Sequence, residues 1–76
     1  MKETILEMRR RLEPLYGAGE TQAMIREIFR NLKGWDATEL TIRIADDYQL
    51  SDYIRSKVEE ILTRLERHEP LQYILG

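Results

Sequence analysis

The sequence predicts an all-α fold: a small antiparallel bundle of four helices, with room for a fifth, and an extended strand segment at its C-terminal end. Three observations carry this reading. Apolar residues recur at steps of three and four through most of the 76 residues, the period of an amphipathic helix. Pro14, Gly17, Gly19, Gly34 and Pro70 fall where one periodic run gives way to the next, as helix breakers and enders should. Only the last stretch, Leu71-Gln72-Tyr73-Ile74-Leu75-Gly76, changes character: it is short, apolar, aromatic and extended in preference.

The first helix is read from Met1, Ile5, Met8, Leu12 and Leu15, with Glu3, Glu7, Arg9, Arg10 and Glu13 outside and a Glu7–Arg11 pair along its flank. Pro14 lacks an N–H and crowds the preceding turn, so this helix is expected to end or kink near Glu13. The second runs from about Glu20 to Lys33, with Met24, Ile25, Ile28, Phe29 and Leu32 on its apolar face. Gly34 suits the left-handed residue after a helix, and Trp35 is expected to fold back over that end. Asp36 or Thr38 can cap a third, shorter helix reaching about Asp47 on Leu40, Ile44 and Tyr48. Ser51 caps a fourth, about Asp52 to Arg67, whose stripe is Ile54, Val58, Ile61 and Leu65, widened by Leu62 and Tyr53, with a Glu60–Arg64 pair. His68-Glu69-Pro70 stops it. An extended segment after Pro70 would present an unpaired edge open to another chain.

Twelve Lys and Arg stand against fourteen Asp and Glu, a formal charge of −2. This balance gives no field for nucleic acid or an anionic membrane. Without cysteine there is no disulfide, thiolate metal site or thiol nucleophile. The amino terminus has no apolar leader-like run, and nothing approaches the roughly 18 apolar residues a membrane crossing needs. A cytoplasmic protein is the expectation.

Reactive groups do not converge. His68 is the sole histidine and sits at a helix end, so neither a triad nor a metal site can be built on it. Asp46-Asp47 and Glu59-Glu60 are adjacent, hence about 100° apart on a helix, and read as solvated charges. Arg9-Arg10-Arg11 would fan around the cylinder between Glu7 and Glu13 instead of making one anion-binding patch. The aromatic residues read as packing anchors, and Gly17-Ala18-Gly19 has no strand before it to make a phosphate loop.

The run from Ile61 to Gly76 is the informative one. A helix bearing basic residues leads into Glu69-Pro70-Leu71-Gln72-Tyr73-Ile74-Leu75-Gly76. This resembles the end of the N-terminal domain of the PrmC/HemK methyltransferases, with Glu69, Pro70, Gln72, Tyr73, Ile74 and Gly76 matching the family's E-P-x-Q-Y-I-x-G-like linker motif. His68 stands where the family often has glycine. Leu15-Tyr16-Gly17 followed by Gly19-Glu20 is similar too, less specifically.

The resemblance implies a helical recognition domain over 1–69, with 70–76 beginning a strand or hairpin toward a catalytic domain. The parent enzyme would use S-adenosylmethionine to methylate the glutamine amide of the Gly-Gly-Gln loop in peptide-chain release factors. The family's Asn-Pro-Pro-Tyr motif and glycine-rich cofactor loop are absent from these residues. No catalytic, cofactor-binding or metal-binding residue is therefore assigned here. The implied partners are a release factor and the parent's own catalytic domain. Arg9, Arg10, Arg26 and Arg30, exposed on the first two helices, are the candidate partner contacts. The alternative is a free-standing helical protein-interaction module that takes some other ligand; a nucleic-acid binder ranks behind both.

Overall fold

Thirty-two residues of straight helix would reach about 48 Å, yet α1 (Lys2–Lys33) belongs to a molecule whose longest dimension is 31 Å. The chain resolves this at Gly17, whose φ of 82° and ψ of 162° lie outside the helical region. There α1 turns back on itself, giving two limbs, 2–16 and 18–33. A left-handed φ carries little penalty only without a Cβ. Pro14 does not end the helix. It is accommodated inside it, and the break comes three residues later.

The computed structural model describes residues 1–76 and contains, after α1, the helices α2 (Ala37–Ala45), α3 (Asp52–Glu66) and α4 (Leu71–Leu75). Counting the limbs separately, five helical segments are present, and there is no strand. The expected C-terminal strand is thus corrected. Residues 71–75 form a helical turn whose Leu71, Ile74 and Leu75 rest on the core. Their spacing of three and four places them on one side of a helix, whereas a strand would have sent Leu71 and Ile74 to opposite faces. No open strand edge remains.

Helix ends follow local chemistry. Asp36 caps α2 by accepting from the Glu39 N–H at 2.8 Å, and Ser51 caps α3 by accepting from Ile54 at 3.2 Å. Gly34, at φ 72°, closes α1 by donating to the Arg30 carbonyl at 2.9 Å. The other two long helices end in paired six-to-one and five-to-two hydrogen bonds. For α2 these are Tyr48 to Arg43 and Asp47 to Ile44, both 3.0 Å; for α3 they are Glu69 to Arg64 at 3.2 Å and His68 to Leu65 at 2.8 Å. Both require a left-handed residue, and here it is Asp47 (φ 50°) and His68 (φ 63°).

Ile5, Met8 and Leu12 of the first limb meet Ile25, Ile28 and Phe29 of the second and Val58, Ile61, Leu62 and Leu65 of α3 in one core. Trp35 closes it. Its ring stacks on Phe29 (centroids 5.9 Å apart) and meets Tyr48 edge-on at 5.3 Å. Lys33 and Arg43 lie over the Trp35 and Tyr48 rings, 5.2–5.7 Å from their centroids. Leu15 and Tyr53, expected inside, are exposed at 45% and 67%. Their neighbours Tyr16 and Ile54, about 100° around the helix, take the inward positions.

Candidate functional site

The motif at the chain's C-terminal end is built on the last turn of α3. Arg64 meets Glu69 twice: its carbonyl accepts the Glu69 N–H, and its guanidinium holds the Glu69 carboxylate at 2.8–2.9 Å. The carboxylate in turn holds Arg64 above the ordinary arginine range. The expected Glu60–Arg64 pair is replaced by this one, and Glu60 faces Lys57 at 3.7 Å. Pro70, with φ −61° and ψ 135°, redirects the chain, and its carbonyl accepts from Tyr73 and Ile74 at 3.0 and 3.2 Å to start α4. Proline suits this place because no donor is needed there.

The motif therefore has an inner and an outer side. Glu69 and Ile74 serve closure of the domain, Ile74 by packing on the core. Gln72 and Tyr73 face outward, Tyr73 at 74% exposure. Gly76 ends α4 at φ 96° by donating to the Gln72 carbonyl at 3.2 Å.

A brace beneath the motif is not announced by any sequence pattern. Tyr16, in the last turn before the α1 break, donates its hydroxyl to the Leu65 carbonyl at 2.6 Å. Its ring also lies 6.0 Å from that of His68. Partial burial, with Glu20 nearby, pushes the Tyr16 phenol above its usual range.

The arginine run fans. Arg9 bonds Glu13 at 3.5 Å and reaches Gln22 on the second limb, while Arg10 turns back to Glu7, with Nε at 3.1 Å from the carboxylate. Arg11 crosses to α3, where its two terminal nitrogens sit 2.6 Å from Glu59 and from Glu66. This fork raises Arg11 above the ordinary arginine range and holds Glu66 below the usual carboxylate range. Glu7 thus pairs with Arg10 instead of Arg11. Arg26 and Arg30 lie on the second limb, exposed and without a carboxylate partner. The four arginines do not form one cluster.

Asp47 is no free solvated charge. Its carboxylate accepts the Met1 ammonium at 2.7 Å and the Lys2 N–H at 3.1 Å, which together hold it below the usual carboxylate range. The ammonium also donates to the Tyr48 carbonyl at 2.7 Å. No group of three or more histidine, aspartate or glutamate side chains is arranged to hold a metal ion. No helix is long and apolar enough to cross a membrane.

Five helical segments around one core, closed by a braced Glu-Pro turn and a short final helix, define a small helical domain with its motif at one end. The chain matches the family model of the PrmC N-terminal domain over residues 3–76 and belongs to that family. No curated protein and no solved structure matches it.

Proposed function

We propose that this domain is the substrate-docking lobe of an S-adenosylmethionine-dependent protein-(glutamine-N5) methyltransferase that acts on the Gly-Gly-Gln loop of peptide-chain release factors in the cytoplasm. The observation that carries the reading is membership of the PrmC N-terminal domain family across residues 3–76. The resemblance of Glu69, Pro70, Gln72, Tyr73, Ile74 and Gly76 to that family's linker motif supports it. In this reading the outward Gln72 and Tyr73 face the parent's catalytic domain.

Such a lobe acts at a distance from the chemistry. Contacts remote from the reacting amide hold the release factor in place, so that orienting the target glutamine costs less entropy on the way to the transition state. The cofactor and the reacting groups belong to the catalytic domain.

Calorimetric titration of the 76-residue chain with a purified release factor tests the proposal. Saturable one-to-one binding, absent with an unrelated protein of similar charge, is the expected result. A folded chain that takes up no release factor would overturn the docking role and favour a helical module with another protein ligand.

A further inference from the structure

The carboxylates of this protein are unevenly matched to its cations. Every arginine outside the second limb of α1 except Arg67 holds an acidic side chain: Arg9 with Glu13, Arg10 with Glu7, Arg11 with Glu59 and Glu66, Arg43 with Glu39, Arg55 with Asp52, and Arg64 with Glu69. On the second limb neither Arg26, Arg30 nor Lys33 holds one. Steps of four and three set these three along one side of the helix; Arg26 and Arg30 are exposed, while Lys33, one turn beyond Phe29, is half-buried with its Nζ over the Trp35 and Tyr48 rings.

The same face continues toward the α1 break as Ala23 and Gly19, both exposed. Gly19 has a helical backbone, and nothing lies within 4 Å of where its Cβ would be. Gly19 lies in the first turn of the second limb, and nothing packed within the domain calls for glycine there. A low-relief end and a cationic end thus share one surface.

We infer that the face Gly19–Ala23–Arg26–Arg30 docks an acidic protein surface, one that brings carboxylates at helical-turn spacing against the two arginines while its backbone closes over Gly19 and Ala23. This rests on the docking role proposed above and narrows it to one face and one partner chemistry. Complementarity favours a protein over nucleic acid, because the chain carries a net charge of −2 and the exposed Glu20 and Glu27 of the same limb leave too little uncompensated positive charge for a long polyanion. Side-chain pairs one turn apart lie roughly 5–6 Å from each other, a spacing that carboxylates on a partner helix reproduce.

The test compares release-factor affinity of three variants by calorimetry at low salt, with circular dichroism as the check on folding. R26E/R30E weakens binding tenfold or more and flattens its salt dependence. R55E/R67E, which makes the same change in net charge elsewhere, alters affinity less than threefold. A23W adds no charge and still weakens binding. Equal losses in R26E/R30E and R55E/R67E, or no loss in R26E/R30E, overturn the assigned face while leaving the docking role intact. A wild-type chain that binds no release factor overturns both. Binding of a single-stranded RNA oligomer that R26E/R30E abolishes would overturn the acidic protein partner.

Discussion

The hydroxyl of Tyr16 lies 2.6 Å from the backbone carbonyl of Leu65, forty-nine residues away in sequence. That carbonyl already accepts the His68 N–H at 2.8 Å. One oxygen therefore joins the break in α1, the end of α3 and the turn that leads into α4. Removing the hydroxyl leaves the carbonyl with its backbone donor, so the loss is that of one ordinary hydrogen bond without an orphaned acceptor. Tyr16→Phe is expected to lower stability by about 0.5–1 kcal/mol at pH 7, measured by urea unfolding. The pH dependence has a definite sign. The phenol is raised in the folded state, so its contribution is whole below its unfolded value and is lost as pH climbs through the folded one. The gap between wild type and Tyr16→Phe should hold at pH 8 and shrink above about pH 10.

Asp47 and His68 occupy equivalent left-handed positions after α2 and α3, yet glycine should affect them oppositely. At His68 (φ 63°) the side chain makes one tilted ring contact with Tyr16 and no hydrogen bond. His68→Gly relieves the Cβ penalty and should stabilise the chain by about 0.5–1 kcal/mol. Asp47 (φ 50°) uses its carboxylate to hold the Met1 ammonium and the Lys2 N–H. Asp47→Gly gains backbone ease and loses both contacts, so its melting temperature should fall. A rise in both variants would mean that the relief of the backbone at Asp47 outweighs its contacts with Met1 and Lys2.

How much of this was legible depended on range. Caps at Asp36 and Ser51 and the ending at Gly34 are set by groups within four residues, and sequence spacing reveals them. The apolar faces of both α1 limbs and of α3 were legible for the same reason, except that Leu15 and Tyr53 are exposed beside inward-facing Tyr16 and Ile54. The Tyr16–Leu65 bond, the reach of Arg11 to α3 and the Met1–Asp47 pair join residues far apart in sequence, and no local pattern encodes them. The final segment was misread for another reason. Over five residues, Leu-Gln-Tyr-Ile-Leu satisfies strand composition and helical spacing alike, and only the surface available beneath it decides. At the candidate partner contacts the sequence placed all four arginines outside but not their pairing. Arg9 and Arg10 are occupied; Arg26 and Arg30 are free.

Arg11 ties the first limb to α3 through Glu59 and Glu66, with only 13% of its side chain exposed. Because Glu66 is held below its usual range mainly by its hydrogen bond to Arg11, its stabilising effect is present above the unfolded carboxylate value and lost as pH falls through the folded one. Glu66→Gln should therefore melt lower than wild type at pH 7. The two should converge only once the pH is below the lowered folded value, where both carry an uncharged side chain at this position. Thermal melts across pH 2–7 check this, and a constant difference at every pH would assign the effect to packing instead of charge.

A helix of five residues cannot hold itself together in water, because nucleation costs more than so few hydrogen bonds return. The helicity of α4 must come from Leu71, Ile74 and Leu75 lying on the core, while Gln72 and Tyr73 contribute no burial. Two substitutions separate these sides. Ile74→Asp places a charge against α1 and α3 and should release α4, with amide exchange at 72–76 rising to that of an open chain. The rest of the domain stays folded after losing about 1–2 kcal/mol, part of the value of one fully buried aliphatic side chain. Tyr73→Ala removes a ring that is 74% exposed and should leave exchange throughout α4 unchanged. If Tyr73→Ala also opened the segment, the ring would hold a contact within the domain. If it does not, Tyr73 is free to meet a second surface, and a loss of affinity between this variant and a separately expressed catalytic domain would show which one.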